Sequence, residues 1–181
     1  MDGIATDAAS AITIVERAAT GDTVAFARIV AAYHADLARV AFVVSGGHHD
    51  IAEDAVQSAW AKAWTRLGSL RDPDRLKPWL ISVAANEARQ LCRRERRSRV
   101  VEIDVLSGTP AGHDPADRAA GIDLERALMR LSADERYLLA LRYEAGFDST
   151  EIASIAKRPA ATIRWRLARI RSRLRKELSD A

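Results

Sequence analysis

Apolar residues recur at intervals of three and four along most of the chain, which is the spacing of an amphipathic α-helix. Glycine and proline fall between the periodic segments, and no convincing pair of strands is present. The first long helix is predicted to begin after Asp22, a favourable N-cap, and to end at Gly46 and Gly47. Its apolar stripe comprises Phe26, Ile29, Val30, Tyr33, Leu37, Val40 and Val44.

Three further helices are expected in the same half of the chain. A short one leads near residues 12–19, and the capping-box spacing of Asp50 and Glu53 predicts the start of another. Beyond a polar loop at 68–75, a helix is predicted from about Leu76 into the arginine-rich segment RQLCRRERRSR. These helices would close a small bundle over residues 10–99.

The helical pattern lapses at residues 100–121, where prolines and acidic residues replace a possible core, so this segment is predicted to be a flexible linker. Periodicity resumes over residues 122–179, with a second capping box at Ser132 and Glu135. The expected fold class is therefore all-α, with two small helical domains joined by a linker.

The C-terminal half contains the pattern of a helix-turn-helix. Asp148 and Glu151 would cap a short helix, residues 157–159 would form a tight turn, and a second helix would begin near Ala160. A basic helix face is usually only solvated, but this turn would project it into a DNA major groove. The residues expected to face DNA are Thr162, Arg164, Trp165, Arg166 and Arg169.

Composition limits the other classes of function. The chain has 181 residues, a formal net charge of +3 and more arginine than lysine, which favours a phosphate-bearing partner. Asp2 and Asp7 stand where a secretory signal would be positively charged, and no window approaches the roughly 20 apolar residues of a membrane span. A soluble, cytoplasmic protein without membrane insertion is expected.

Catalytic and metal-binding functions find little support. Cys92 is the only cysteine, and the four histidines lack the spacing of a zinc site. No phosphate-binding glycine loop is present. We therefore expect no enzyme, no metal and no cofactor. Trp60, Trp64 and Trp79 lie at helical spacing among apolar residues and are expected to pack in the core.

A second basic cluster, between Arg89 and Arg99, follows Asn86 on the same predicted helix. Taken alone, it could bind phosphates, lie on a membrane surface or simply solvate a helix end.

Three segments together resemble the extracytoplasmic-function (ECF) sigma factors over nearly the whole chain. DIAEDAVQSAWAKAW resembles the family's polymerase-docking helix, and LKPWLISVAANEARQLCRRERR resembles the segment that melts and reads the minus-ten promoter element. The segment from LSADERYLLALRYEAGFDSTEIASIA through RSRLRKEL resembles the domain that reads the minus-thirty-five element.

The resemblance implies a role for each surface. Glu53, Asp54 and Gln57 would contact core RNA polymerase, and the loop at 69–77 with Asn86 would hold an unstacked promoter base. The residues that would neutralise phosphates around the opening duplex are Arg89, Arg93, Arg94 and Arg97. The linker would be an acidic connector bearing Glu102, Asp104, Asp114 and Asp117. The partners would be core RNA polymerase, promoter DNA and an anti-sigma factor.

Several residues depart from the family pattern. Ser58 and Gln90 replace acidic residues, Lys157 and Ala161 replace glycines, and Trp165 replaces a small polar residue. Lys157 predicts an altered turn, because positive φ is costly for a residue with a Cβ atom. The promoter sequence cannot therefore be inferred from relatives.

Two alternatives remain at this point. A helix-turn-helix repressor or activator acting without polymerase would explain the C-terminal helix but neither the Arg89 to Arg99 cluster nor the docking helix. The second alternative is a scaffold that binds polymerase without DNA specificity.

Overall fold

The computed structural model describes residues 14–102, 124 and 126–179, with side chains of the helix that spans residue 99 described as far as residue 98. These ranges contain helices and turns but no strand, which confirms the all-α prediction. The helices are α1 (residues 14–19), α2 (Thr23–Ser45), α3 (His49–Arg66), α4 (Leu76–Glu102), α5 (residues 126–129), α6 (Ala133–Leu139), α7 (Ser149–Ala156) and α8 (Ala160–Ser179).

The N-terminal domain is a bundle in which α2, α3 and α4 pack against one another. Asp22 caps α2 as predicted, because its carboxylate accepts hydrogen bonds from the Val24 and Ala25 N–H groups. Gly46 ends α2 in the left-handed conformation, with a φ of 79°. Leu37, Leu80 and many other apolar side chains of the three helices are buried between them.

The predicted capping box at Asp50 and Glu53 is wrong. Helix α3 begins at His49, and His48 is its N-cap without a side-chain hydrogen bond. Asp50 therefore lies inside the first turn, where its charge complements the positive end of the helix dipole. His48, directly after Gly47, has the extended backbone conformation of an N-cap residue. The helix therefore begins at His49, before Asp50.

Between α3 and α4 the predicted polar loop is more ordered than expected. It contains two 3-10 turns, Leu67–Ser69 and Pro73–Arg75, and the Asp72 carboxylate accepts a hydrogen bond from the Asp74 N–H at 3.0 Å. Helix α4 then continues to Glu102, past the predicted boundary at residue 99. The remainder of the predicted linker, 103–121, lies outside the described residues, as do residues 10–13.

The C-terminal domain contains α5 to α8, with a π-helical turn at Ala140–Glu144 that follows α6. Both predicted capping boxes are present, at Ser132 with Glu135 and at Asp148 with Glu151. The principal buried side chains are Tyr137, Leu141, Ile152, Ile163, Leu167 and Ile170.

The two domains are in direct contact, because α6 and the π-helical turn pack against α2 and α4. The Arg136 side chain of α6 is buried, and its Nε donates a hydrogen bond to the carbonyl of Val44 at 3.0 Å. The same guanidinium donates to the Leu131 and Met129 carbonyls of its own domain. Arg136 therefore joins the end of α2 to the start of α6.

No helix in the described ranges has the length and hydropathy of a membrane span.

Candidate nucleic-acid and polymerase interfaces

The predicted helix-turn-helix is formed by α7 and α8. Helix α7 ends at Lys157, whose φ of 51° and ψ of 50° are left-handed, and the Arg158 N–H donates to the Ala153 carbonyl at 3.0 Å. Lys157 is the only non-glycine residue with positive φ in the described ranges. The turn thus keeps the conformation that glycine favours, at a cost in backbone strain.

One face of α8 is buried and the other is basic and exposed. Ile163, Leu167 and Ile170 pack into the domain core. Trp165 is 58% exposed, and the Arg169 guanidinium lies 5.4 Å from the centre of its indole ring. Arg164 and Arg166 are exposed and Thr162 is half-buried. All the residues predicted to face DNA therefore lie on or beside the accessible side of α8.

The predicted minus-ten residues of α4 fall into two groups. Arg93, Arg94 and Arg97 are exposed. Asn86 and Arg89 are half-buried, and Arg89 donates a hydrogen bond to the Asn86 side-chain oxygen at 3.0 Å. Only the first group is freely accessible in this arrangement of the domains.

Arg89 is also engaged by the C-terminal domain. Its Nη1 lies 3.5 Å from an Asp134 carboxylate oxygen, and its guanidinium lies 4.3 Å from the centre of the Tyr137 ring. Burial raises the pKa of the Tyr137 hydroxyl, and the nearby Arg89 charge opposes that shift.

The loop at 69–77 is similarly engaged. The Arg75 guanidinium forms an ion pair with Glu151 of α7 and lies 5.3 Å from the centre of the Phe147 ring. The last two residues of the predicted loop lie in the first turn of α4, where Lys77 Nζ is 2.6 Å from a carboxylate oxygen of Asp36 in α2.

The predicted polymerase-binding residues are all accessible. Glu53, Asp54 and Gln57 are exposed on α3, while Ala55 and Val56 face the core. Two adjacent carboxylates and an amide one turn later therefore form a polar strip that can accept and donate hydrogen bonds.

The tryptophans differ in burial. Trp60 and Trp79 are partly buried against the core, as predicted. Trp64 is 39% exposed and packs edge-on against Phe26, with 4.9 Å between ring centres. The prediction that Trp64 packs in the core is therefore only partly confirmed.

The sequence pattern did not reveal the residues that join the domains. Arg39 Nη2 forms an ion pair of 2.8 Å with Glu144, a residue 105 positions away in the chain. Arg136, buried between the domains, has the appearance of an ordinary surface arginine in the sequence. No local spacing indicates such pairs, because they depend on how the domains meet.

Comparisons with known proteins cover both domains. Residues 29–98 match the family Sigma-70 region 2, and residues 122–174 match Sigma-70, region 4. The chain is 30% identical to the ECF RNA polymerase sigma-E factor of Escherichia coli, covering 87% of this chain and 88% of that one. It is 31% identical to the probable RNA polymerase sigma factor RfaY of Xanthomonas campestris, but spans only 42% of that protein's length.

A solved structure of the sigma factor RpoE in complex with the anti-sigma factor NepR from Bartonella quintana is also similar. Its TM-score is 0.67 at 30% identity, over 85% of this chain and 96% of that chain. A helix-turn-helix regulator acting without polymerase does not account for the match to region 2. The chain therefore belongs to the ECF group of RNA polymerase sigma factors, and is a polymerase-binding, promoter-recognising initiation factor.

Proposed function

We propose that three surfaces divide the work of initiation, and that Glu53, Asp54 and Gln57 of α3 dock on core polymerase. What supports this assignment is the exposure of the whole strip beside a well-packed helix face. Glu53→Lys should weaken the affinity for core polymerase in a competition assay with a second sigma factor. Glu16→Lys, which reverses another exposed carboxylate of the domain, should leave it unchanged; equal effects would refute the assignment.

The second surface is the minus-ten reader, formed by Asn86, Arg89, Arg93, Arg94 and Arg97 with the loop at 69–77. A domain that holds an unpaired strand needs cations for phosphates and a pocket for an unstacked base. The exposed arginines supply the cations, and Asn86 supplies an amide that can form hydrogen bonds with a base edge.

The third surface is the exposed side of α8, with Thr162, Arg164, Trp165, Arg166 and Arg169 reading the minus-thirty-five element. The observation that carries the proposal most directly is this basic face on the second helix of a helix-turn-helix. An arginine that pairs with guanine in the major groove contributes about 1–3 kcal/mol of discrimination.

Substitution within reconstituted holoenzyme tests both DNA surfaces. Arg164→Ala and Arg169→Ala should reduce open-complex formation. Arg93→Ala with Arg94→Ala should also reduce it, and open-complex formation by that variant should depend less steeply on salt concentration, because fewer phosphates are neutralised. Arg28→Ala and Arg130→Ala each remove one exposed arginine, one in each domain, that is not among the proposed DNA-contacting residues, and they serve as controls. Unchanged promoter selection in the α8 variants would favour a scaffold that binds polymerase without reading DNA.

An anti-sigma factor is the remaining proposed partner. Its support is the similarity to RpoE, which is solved in complex with an anti-sigma factor. Affinity purification of the full chain from its own cells, followed by mass spectrometry, tests whether a stoichiometric protein inhibitor is bound.

A further inference from the structure

A single carboxylate is buried among the side chains that the structure describes. Glu87 of α4 is 7% exposed, and every other acidic side chain in those ranges is more accessible. A charge in such a place is costly unless an opposite charge accompanies it. The Lys62 Nζ atom of α3 lies 2.6 Å from the Glu87 Oε1 atom, and the Lys62 side chain is itself 40% exposed. Lys62 therefore compensates the buried carboxylate while its own charge still reaches solvent.

This ion pair joins the two helices that carry the surfaces proposed for the N-terminal domain. Lys62 lies C-terminal to the docking strip on α3, and Glu87 directly follows Asn86 on α4. Helices α3 and α4 pack against each other. A change in how α4 lies on α3 would therefore move the minus-ten face relative to the polymerase that α3 binds.

The apolar part of the contact has little shape of its own. Most of the buried apolar residues of α3 and α4 are alanines, namely Ala52, Ala55, Ala59, Ala63, Ala84, Ala85 and Ala88. Alanine lets helices approach closely, but it has no long side chain to interlock with a groove on the neighbouring helix. A buried ion pair is favourable only when its two charged groups meet, so it selects one arrangement of the helices.

We propose that the Lys62–Glu87 ion pair is a positioning contact, which sets the rotation and axial position of α4 on polymerase-bound α3 and so directs Asn86 and the arginines after it at the minus-ten strand. Neither Lys62 nor Glu87 touches DNA in this role. The inference rests on the proposed function, in which α3 docks on polymerase and α4 reads the minus-ten element.

Reading a base leaves little room for error in the position of α4. A slip of one residue turns a helical side chain by about 100° and moves it by about 1.5 Å along the axis. Hydrogen bonds to a base edge tolerate only about half an ångström, so even part of such a slip impairs reading. Loss of the ion pair should therefore reduce discrimination between bases before it reduces folding.

The test compares Glu87→Leu with the unmodified chain, both as reconstituted holoenzyme on a promoter that the holoenzyme uses. Leucine removes the buried charge and Lys62 can extend into solvent, so the melting temperature of the free chain should not fall. Affinity for core polymerase should stay within about twofold. The ratio of open complexes formed on the minus-ten element and on its single-base variants should fall roughly fivefold.

The matched control is Glu16→Leu, which makes the same chemical change at an exposed carboxylate of α1 and should leave this ratio unchanged. Both variants lose one negative charge, which on its own favours DNA binding, so charge cannot explain a loss in one of them. Equal ratios in Glu87→Leu and Glu16→Leu would overturn the inference.

Two further variants separate positioning from a purely structural role. Lys62→Met with Glu87→Leu replaces the whole pair and should match Glu87→Leu alone, because neither residue acts without the other. Glu87→Gln keeps the shape of the side chain and an oxygen that accepts from Lys62, so its ratio should lie between those of Glu87→Leu and the unmodified chain. A clearly larger loss in the double variant, or a ratio for Glu87→Gln no better than that for Glu87→Leu, would also overturn the inference.

The same experiments distinguish this inference from the proposed function. If Arg93→Ala with Arg94→Ala leaves open-complex formation unchanged, the assignment of α4 to the minus-ten element is wrong. If that variant impairs opening while Glu87→Leu discriminates between bases as well as Glu16→Leu does, the assignment stands and only the positioning role is refuted.

Discussion

Lys157 shows how a turn can tolerate a strained residue: the sequence predicts that Lys157 alters the turn, and this prediction is wrong. The sequence places a lysine in a turn that needs positive φ, and the structure keeps the left-handed conformation instead of changing the turn. The neighbouring hydrogen bonds that close α7 determine this geometry, so the side chain must tolerate it.

Lys157→Gly should therefore raise the free energy of unfolding by about 0.5–1 kcal/mol, since glycine removes the left-handed penalty. Urea denaturation followed by circular dichroism measures the change. Lys157→Ala keeps a Cβ atom at the same φ and should bring no gain. A stabilised alanine variant would show that side-chain length, not backbone strain, is responsible.

Arg136 is the residue that local reasoning could not find. Burial lowers its pKa, yet its guanidinium remains paired with carbonyl groups of both domains. A Cβ atom at Gly46 would lie only 2.6 Å from Arg136 Nη2, so the turn after α2 leaves space for this side chain.

Arg136→Met should lower the free energy of unfolding by about 2–4 kcal/mol, because the Val44 and Leu131 carbonyls lose a buried donor. Methionine keeps most of the side-chain volume, which separates the lost hydrogen bonds from a cavity. Thermal melting of Arg136→Met measures this loss of stability. Arg130→Met, which makes the same change at an exposed arginine, is the comparison. Equal melting temperatures for the two variants would contradict a joining role.

At the scale of elements, the ends of the helices were mostly predictable from the sequence, with one exception at the start of α3. The caps at Asp22, Ser132 and Asp148 were predictable because a cap depends only on the next three residues. Asp50 and Glu53 have the same spacing but lie within α3, so spacing alone could not locate the first turn. Helix ends with several agreeing signals are thus the more reliable predictions.

The capping carboxylates also predict a pH dependence for the C-terminal domain. Backbone N–H groups of Glu151 and Thr150 lower the pKa of Asp148, and burial of Glu135 is outweighed by hydrogen bonds from Ser132 and by Arg173, so its pKa is lowered too. A lowered pKa in the folded state stabilises the fold above the ordinary values of 3.8 and 4.5.

Stability should therefore be constant at neutral pH and fall as pH drops below about 4.5 towards the lowered values. Denaturation of the full chain across this range measures the loss. Asp148→Asn with Glu135→Gln keeps acceptors at both caps and should flatten the dependence. An unaltered pH profile in that variant would show that other carboxylates are responsible.

Helix α8 is the element whose function was most visible in the sequence, because its buried and basic faces both follow helical spacing. Trp165 departs from the family pattern at this position, and its exposure beside Arg169 is consistent with the proposed DNA-facing role rather than with core packing.

Trp165→Ala should alter which sequences are selected from a randomised minus-thirty-five element, because the indole lies on the face proposed to contact DNA and packs against the Arg169 guanidinium. Tyr143→Ala removes another exposed aromatic residue of the same domain and is the control. If both variants select the wild-type sequence with wild-type preference, Trp165 has no part in readout.

For the whole molecule, the two-domain organisation could be predicted but the contact between the domains could not. Periodicity identifies each bundle separately, whereas ion pairs such as that of Arg39 with Glu144 join residues far apart in the chain. Their geometry follows from the packing of complete surfaces, to which no short motif contributes.

The central claim is that the chain directs polymerase to promoters through both domains. Sequencing the 5′ ends of transcripts made on genomic DNA by core polymerase, with and without the chain, tests it most directly. We predict new start sites preceded by two separated sequence elements, with the upstream element losing its influence in Arg164→Ala with Arg169→Ala. Identical start sites with and without the chain, together with tight binding of the free protein to palindromic duplex DNA, would contradict it.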